Sequence, residues 1–207
     1  IRMPAAYSGC YGMKPTHGLV PYTGIMPIES TLDHAGPMTQ NVADNALMLE
    51  VIAGADGLDP RQYNVVTDTY TRAVTAGASG LKIGIVKEGF GHASSEADVD
   101  QKVRAAANIL SECGASVDEI SVPWHLKGLP IWTPIASEGA TNQMMHGNGM
   151  GTGWEGMYTT SLLDYHANWR GRADELSDTL KITMFVGQYF LKHHRGHYYA
   201  KAQNLSR

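Results

Sequence analysis

The chain has little cysteine, no long apolar run and no excess of basic charge. Two cysteines in 207 residues, Cys10 and Cys113, cannot build a disulfide framework, and reduced thiols are the simpler reading. No uninterrupted apolar stretch is long enough to span a bilayer. Sixteen Lys and Arg against 20 Asp and Glu leave a net charge of −4, so no footprint for nucleic acid or an anionic membrane surface is visible. Several site patterns are also missing. There is no Gly-x-Ser-x-Gly elbow, no Walker loop and no dinucleotide fingerprint. The run His193-His194-Arg195-Gly196-His197 lacks the glutamate of a His-Glu-x-x-His site. Arg195 opposes a cation there and Gly196 weakens the helix, so the run reads as a helix end and not as a metal site. Internal repeats and low-complexity segments are absent. What remains is 43% hydrophobic and 17% charged, the balance of a folded globular chain of one or two domains.

Residues 1–40 are rich in Gly, Pro and small side chains and show no helical period. They read as a functional loop or a set of short strands wrapped on a scaffold. A helix is predicted over 42–53. Asn41 is a suitable N-cap, Asp44 can complete a capping-box-like pair, and Gly54 stops it. Val42, Ala46, Leu49 and Ala53 form its expected apolar face, widened by Met48 and Ile52. Residues 55–80 read as a surface connection. A strand over 81–86, a helix over 97–113 capped by Ser95 or Asp98, and a strand over 117–122 ending at Pro123 then predict a parallel crossover. The character changes near 125–135, and the segment beyond is polar-aromatic and helix-rich.

Three blocks of the first forty residues carry the chemistry. They are Ile1-Arg2-Met3-Pro4-Ala5-Ala6, then Gly9-Cys10-Tyr11-Gly12-Met13-Lys14-Pro15-Thr16-His17-Gly18, then Leu32-Asp33-His34-Ala35-Gly36-Pro37-Met38-Thr39. In this spacing the chain closely resembles the amidase signature family. The stretch from Leu81 to Val86 and on through Gly114 to Val117 is similar, more loosely, to that family's strand–helix–strand segment. The region from Trp132 onward looks most like the amidases of bacterial nitrile-degrading pathways.

The resemblance implies an α/β fold: part of a mixed sheet flanked by helices, with a small helical subdomain after it. Residues 1–130 would form the C-terminal part of the core and 131–207 the pocket subdomain, the parent continuing on both sides. In the family, Gly-Gly-Ser directly precedes the Ile-Arg pair, and that serine attacks the amide. A second serine relays its proton to a lysine, which must be neutral to act as a base. The whole Ser-Ser-Lys triad would lie upstream, no catalytic residue would stand in this chain, and the isolated fragment would be inactive. The implied reaction is hydrolysis of small aliphatic or aromatic carboxamides to carboxylate and ammonia. It needs no metal or organic cofactor, nucleic acid or membrane. A cytoplasmic enzyme follows, with a homodimer of the parent left open. The alternatives are a glutamine-hydrolysing subunit of a tRNA-dependent amidotransferase, and a non-catalytic fragment.

Within the chain, Arg2 is expected to brace the nucleophile loop through backbone carbonyls or a carboxylate such as Asp33, or else to contact an acid-bearing substrate. Asp33 is read as a loop brace or a cap. Trp132 is a candidate wall of the acyl pocket, and Met3, Ile25 and Ile28 are weaker candidates, with plain core packing the competing reading for all four. Cys10 with His17 could imitate a thiol nucleophile and base, but burial behind the loop fits a free cysteine better. Lys14 belongs to a Gly-x-Lys-Pro-Thr run and reads as scaffold.

Overall fold

The computed structural model describes all 207 residues. It opens with a helix, α1 (Arg2–Ser8), where a loop or short strands were expected. Pro4 lies in the first turn, where a missing N–H costs nothing, and Ala5 and Ala6 favour the helix. Gly9, at φ 62°, closes it in the left-handed conformation. The chain then forms β1 (Tyr11–Gly12) and β2 (Met38–Thr39), which pair antiparallel as the short strands anticipated for this segment. Asn45 fastens them: its amide donates to the Tyr11 carbonyl and to the Thr39 hydroxyl, each at 3.1 Å.

Helix α2 (Val42–Ile52) starts where its cap predicts, with the Asn41 side chain accepting from the Asp44 N–H at 2.8 Å. The Asp44 carboxylate takes the Asn41 side-chain amide at 2.7 Å instead of the backbone N–H of a full capping box. The buried face differs from the expected one. It carries Asn45 and Leu49, while Val42 and Met48 are exposed, because the helix turns its polar Asn45 toward the β1–β2 ribbon.

A short helix, α3 (Tyr70–Ala73), precedes the crossover unit: β3 (Lys82–Val86), α4 (Ala97–Glu112) and β4 (Ser116–Ile120). The two strands run parallel, Ile83 opposite Val117 and Ile85 opposite Glu119, as predicted. Neither Ser95 nor Asp98 caps α4; Glu96 occupies the N-cap without a side-chain bond. Its apolar period is as read, yet only Ala107 is buried and Val99 and Val103 stay exposed. Pro123 opens a 3₁₀ turn, Pro123–Lys127, instead of simply ending the strand.

Helix α5 (Gly128–Ala140) runs into a π-helical segment, Thr141–His146. Helices α6 (Thr160–Ala167), α7 (Asp178–His194) and α8 (His197–Leu205) complete the chain. Two compact units result: Ile1–Thr71 with Ile131–Arg207, and Arg72–Pro130. The chain leaves the first unit after Thr71 and re-enters it at Ile131. No helix is long and apolar enough to cross a membrane.

Candidate functional site

The loop 28–33 is the hub of the first unit. Its acid, Asp33, accepts the backbone N–H groups of Ile28 at 2.7 Å and Glu29 at 3.0 Å. Burial pushes the Asp33 carboxyl above its usual range, against the pull of those two N–H groups. The cation that holds the loop is Arg61. One guanidinium nitrogen donates to the Ser30 carbonyl at 3.2 Å and the Asp33 carbonyl at 3.0 Å. The rest of the fork grips Asp59, Nε to Oδ1 at 3.0 Å and Nη2 to Oδ2 at 2.8 Å. Asp59 in turn accepts the Tyr22 N–H at 2.8 Å, and Arg61 lies 4.8 Å from the Tyr22 ring centroid.

The expected pairing of Arg2 with Asp33 is therefore not formed. Arg2 projects into solvent from α1 and reaches no carboxylate. Asp33 instead accepts backbone N–H groups of its own loop. Met3, Ile25 and Ile28 are exposed, and Trp132 is 53% exposed on α5; none of the four lines the cavities described below. Cys10 is half-buried beyond α1, and His17 packs edge-on to His34, centroids 5.3 Å apart. Lys14 approaches His34 Nε2 at 3.2 Å and donates to the Pro15 carbonyl at 2.7 Å. The Leu32 carbonyl lies 2.7 Å from His34 Nδ1 and fixes the proton there, leaving Nε2 to accept from Lys14. Burial pushes the His34 pKa down, in keeping with that neutral ring.

The second half of the site comes from 131–207. Ser30 N–H donates to Gln143 Oε1 at 3.0 Å, Tyr199 Oη donates to Glu29 Oε1 at 2.8 Å, and Gln203 Nε2 donates to the Thr31 hydroxyl at 2.7 Å. Burial, then the Glu29 carboxylate, push the Tyr199 phenol up to about 12. The π segment ends in carbonyls that a continuing helix would have satisfied. His166 Nε2 meets the Met144 carbonyl at 2.9 Å, and Trp169 Nε1 donates to the Met145 carbonyl at 3.2 Å. These contacts fix Met144 and Met145 in a small apolar core with Ala140, against which Met26, Leu180 and Met184 pack.

Two cavities flank this core. One, of about 380 Å³, is mainly apolar, lined by Met145, Trp169, Leu176, Met184 and Phe185, with His146 and Lys181 at its polar side. The other, of about 410 Å³, is more polar, lined by Ser30, Gln143, His146, Met150, Thr152 and Trp154. An apolar slot with a few polar groups suits an aryl or alkyl group. Sequence reasoning missed Glu29, Arg61, Glu138 and Tyr199. The two glutamates left a signal, each being a single acid in an apolar run: Ile25-Met26-Pro27-Ile28-Glu29 and Ile135-Ala136-Ser137-Glu138.

The chain belongs to the amidase family, whose model matches residues 1–207. It is similar to an enantioselective amidase of Rhodococcus rhodochrous, 42% identical over 210 residues, covering 100% of this chain and 40% of that protein. It is also similar to a glutamyl-tRNA(Gln) amidotransferase subunit of Lysinibacillus sphaericus, 38% identical over 204 residues, covering 98% of this chain and 41% of that one. Among solved structures, a bacterial aryl acylamidase of the amidase signature enzymes shares the fold at TM-score 0.66 and 23% identity, covering 98% of this chain and 38% of the other. The corresponding glutamyl-tRNA(Gln) amidotransferase subunit of Thermotoga maritima does so at TM-score 0.63 and 23% identity, over 93% and 36% of the two chains. The chain thus spans about 40% of the length of the curated relatives it matches.

Proposed function

We propose that the protein carrying this chain is an amidase that hydrolyses small aliphatic or aromatic carboxamides to carboxylate and ammonia. The observation that carries this reading is the match of the amidase family model along the whole chain, together with 42% identity to an enantioselective amidase. The nucleophile in this reading is a serine immediately before Ile1, working with a second serine and a neutral lysine. Residues of this chain then shape the site and carry no step of bond breaking. The apolar cavity between Trp169 and Phe185 is the proposed seat of the acyl group. Nitrile degradation and a cytoplasmic location belong to the same reading.

The experiment is ammonia release by the whole protein from benzamide, propionamide and L-glutamine, without any partner. Turnover of the simple amides is expected. Replacing the residue before Ile1 with alanine should lower it by about a thousandfold or more. The isolated 207-residue chain should release none; clear release by it would overturn the upstream triad. The second reading, a glutamine-hydrolysing amidotransferase subunit, is favoured by the 38% identity to such a protein. Hydrolysis of glutamine alone, and only with a partner protein added, would select it.

A further inference from the structure

Helix α8 starts without a cap of its own. Its N-cap is Gly196, which has no side chain to offer. The bond an N-cap side chain would make comes instead from another helix: Glu138 Oε1, near the end of α5, accepts the Tyr199 N–H at 3.1 Å. Tyr199 is also held at its far end, where its hydroxyl donates to Glu29 Oε1 at 2.8 Å. One turn on, Gln203 donates to the Thr31 hydroxyl at 2.7 Å. These bonds and the buried Ala202 seat α8 on α5 and on the 28–33 loop.

Glu138 is 1% exposed, and its second oxygen, Oε2, reaches neither water nor a donor. Two glycines account for the burial. A Cβ on Gly139 would strike Glu29 Cγ, and one on Gly187 of α7 would strike the Ser137 carbonyl, so the loop and α7 both close on this turn of α5. An ionised oxygen here has lost its water and gained no donor, whereas a protonated carboxyl group loses far less. Burial accordingly pushes the Glu138 carboxyl above its usual range, although the Tyr199 N–H and then the His194 charge pull it down. The groups that face it are His194 of α7 and the Tyr199 phenol of α8, with Glu29 of the loop beyond Tyr199. The phenol is itself pushed up to about 12 by burial and then by Glu29. Helix α8 also has a hinge and room to move. Arg195 and Gly196, at φ 53° and 75°, make a two-residue corner between α7 and α8. A cavity of about 230 Å³ lies beside the joint, with Leu191, Gly196 and Tyr199 in its wall.

We propose that Glu138 is a proton-operated latch for α8: its neutral carboxyl group keeps α8 seated on α5 and the loop, and its ionisation releases the helix. Ionisation favours the state in which α8 swings off at Arg195 and Gly196 and water reaches Oε2. The bonds from Tyr199 and Gln203 to the loop are given up with it. Because the seated state favours the proton, seating is complete below pH 4.5, the ordinary glutamate value, and is lost as pH rises through the higher value of the seated state.

The test is hydrogen exchange in the intact protein that carries this chain, read by mass spectrometry from about pH 5 to about pH 9. It follows α8 itself and not catalysis, so it stands apart from the amidase reading. Residues 42–52 of α2, in the same molecule, are the reference for the intrinsic rise of exchange with pH. Residues 197–205 should lose about tenfold or more of their protection relative to that reference. Glu138→Gln keeps the acceptor for Tyr199 and cannot ionise, so it should abolish the relative loss. His194→Gln removes the histidine that faces Glu138, a residue type that titrates in the same range, and should leave the loss in place. Should Glu138→Gln fail to fold, the comparison of α8 with α2 in the unaltered protein and in His194→Gln decides. Parallel pH trends in 197–205 and 42–52, a loss that persists in Glu138→Gln, or one that vanishes in His194→Gln would each overturn the proposal.

Discussion

Arg61 and Arg2 are the same residue type in opposite situations, and their replacement should read out differently. The Arg61–Asp59 pair is almost wholly buried, with side-chain exposures of 9% and 0%. Removing one partner of a buried pair strands the other charge, at a cost of about 3–5 kcal/mol. Arg61→Ala also frees the Ser30 and Asp33 carbonyls, so a loss of about 3 kcal/mol or more is expected in urea unfolding. Arg2→Ala, at an exposed site without a partner, should change stability by less than about 0.5 kcal/mol. If Arg2→Ala leaves turnover unchanged as well, both its bracing and its substrate-contact roles fall. Asp59 adds a pH signature. Burial pushes its carboxyl up, but the Arg61 guanidinium and the N–H groups of Arg61 and Tyr22 outweigh that and hold it below 3.8. Its stabilisation is therefore complete above pH 3.8 and is lost as pH falls through the lower folded value. Arg61→Ala should move the onset of acid unfolding to higher pH. An unmoved onset would show that the N–H groups alone hold Asp59.

Helix α7 approaches α5 and the π segment through Gly187. A Cβ at that position would strike the Ser137 carbonyl and the Thr141 hydroxyl. Gly187→Ala must therefore push the two elements apart, although alanine is the better helix former by about 1 kcal/mol. Overpacking of this kind costs about 1–3 kcal/mol, so a net loss of stability is expected in denaturant unfolding. The apolar cavity, with α7 residues Lys181, Met184 and Phe185 in its wall, should widen in step, which a weaker affinity for benzamide would register. A stabilised Gly187→Ala protein would mean that α7 does not sit this close. The contrast with α2 and the β3–α4–β4 unit shows what was legible. Those elements carry local signals: the Asn41 cap, the Gly54 stop and short apolar strands around a helical period. Helix α1 was hidden because Pro4 reads as a breaker unless its place in the first turn is known. The π segment has no sequence period of its own. The bonds from Arg61 to the Ser30 and Asp33 carbonyls and from Tyr199 to Glu29 and Glu138 were also illegible, for they join residues brought together only by the tertiary fold. The family was readable because its fixed residues cluster in the first forty positions.

At the scale of the whole molecule, much apolar surface is left in water. Along α7, Ile182, Phe185 and Tyr189 are spaced by three and four residues and are 64%, 72% and 56% exposed. That spacing is a helix stripe built to meet another surface. Val42 on α2 and Val99 and Val103 on α4 are exposed as well. Each sheet has only two strands, so β3 and β4 each have one partner. Isolated two-stranded sheets are marginal in water, and an unpaired edge is a template for association. The buried clamps argue the other way, since Arg61, Asn45 and Tyr199 tie together segments far apart in sequence. The two tendencies predict a chain that holds its local geometry while associating through its faces. The isolated 207-residue chain should bind a hydrophobic dye, self-associate in light scattering and melt over a broad range. Phe185→Glu should lessen the association by placing a charge in the middle of the α7 stripe, without touching the Arg61 clamp. A sharp, cooperative melt of a monomeric, dye-silent chain would show instead that these faces are tolerated in water, and that the internal packing of the chain is sufficient by itself.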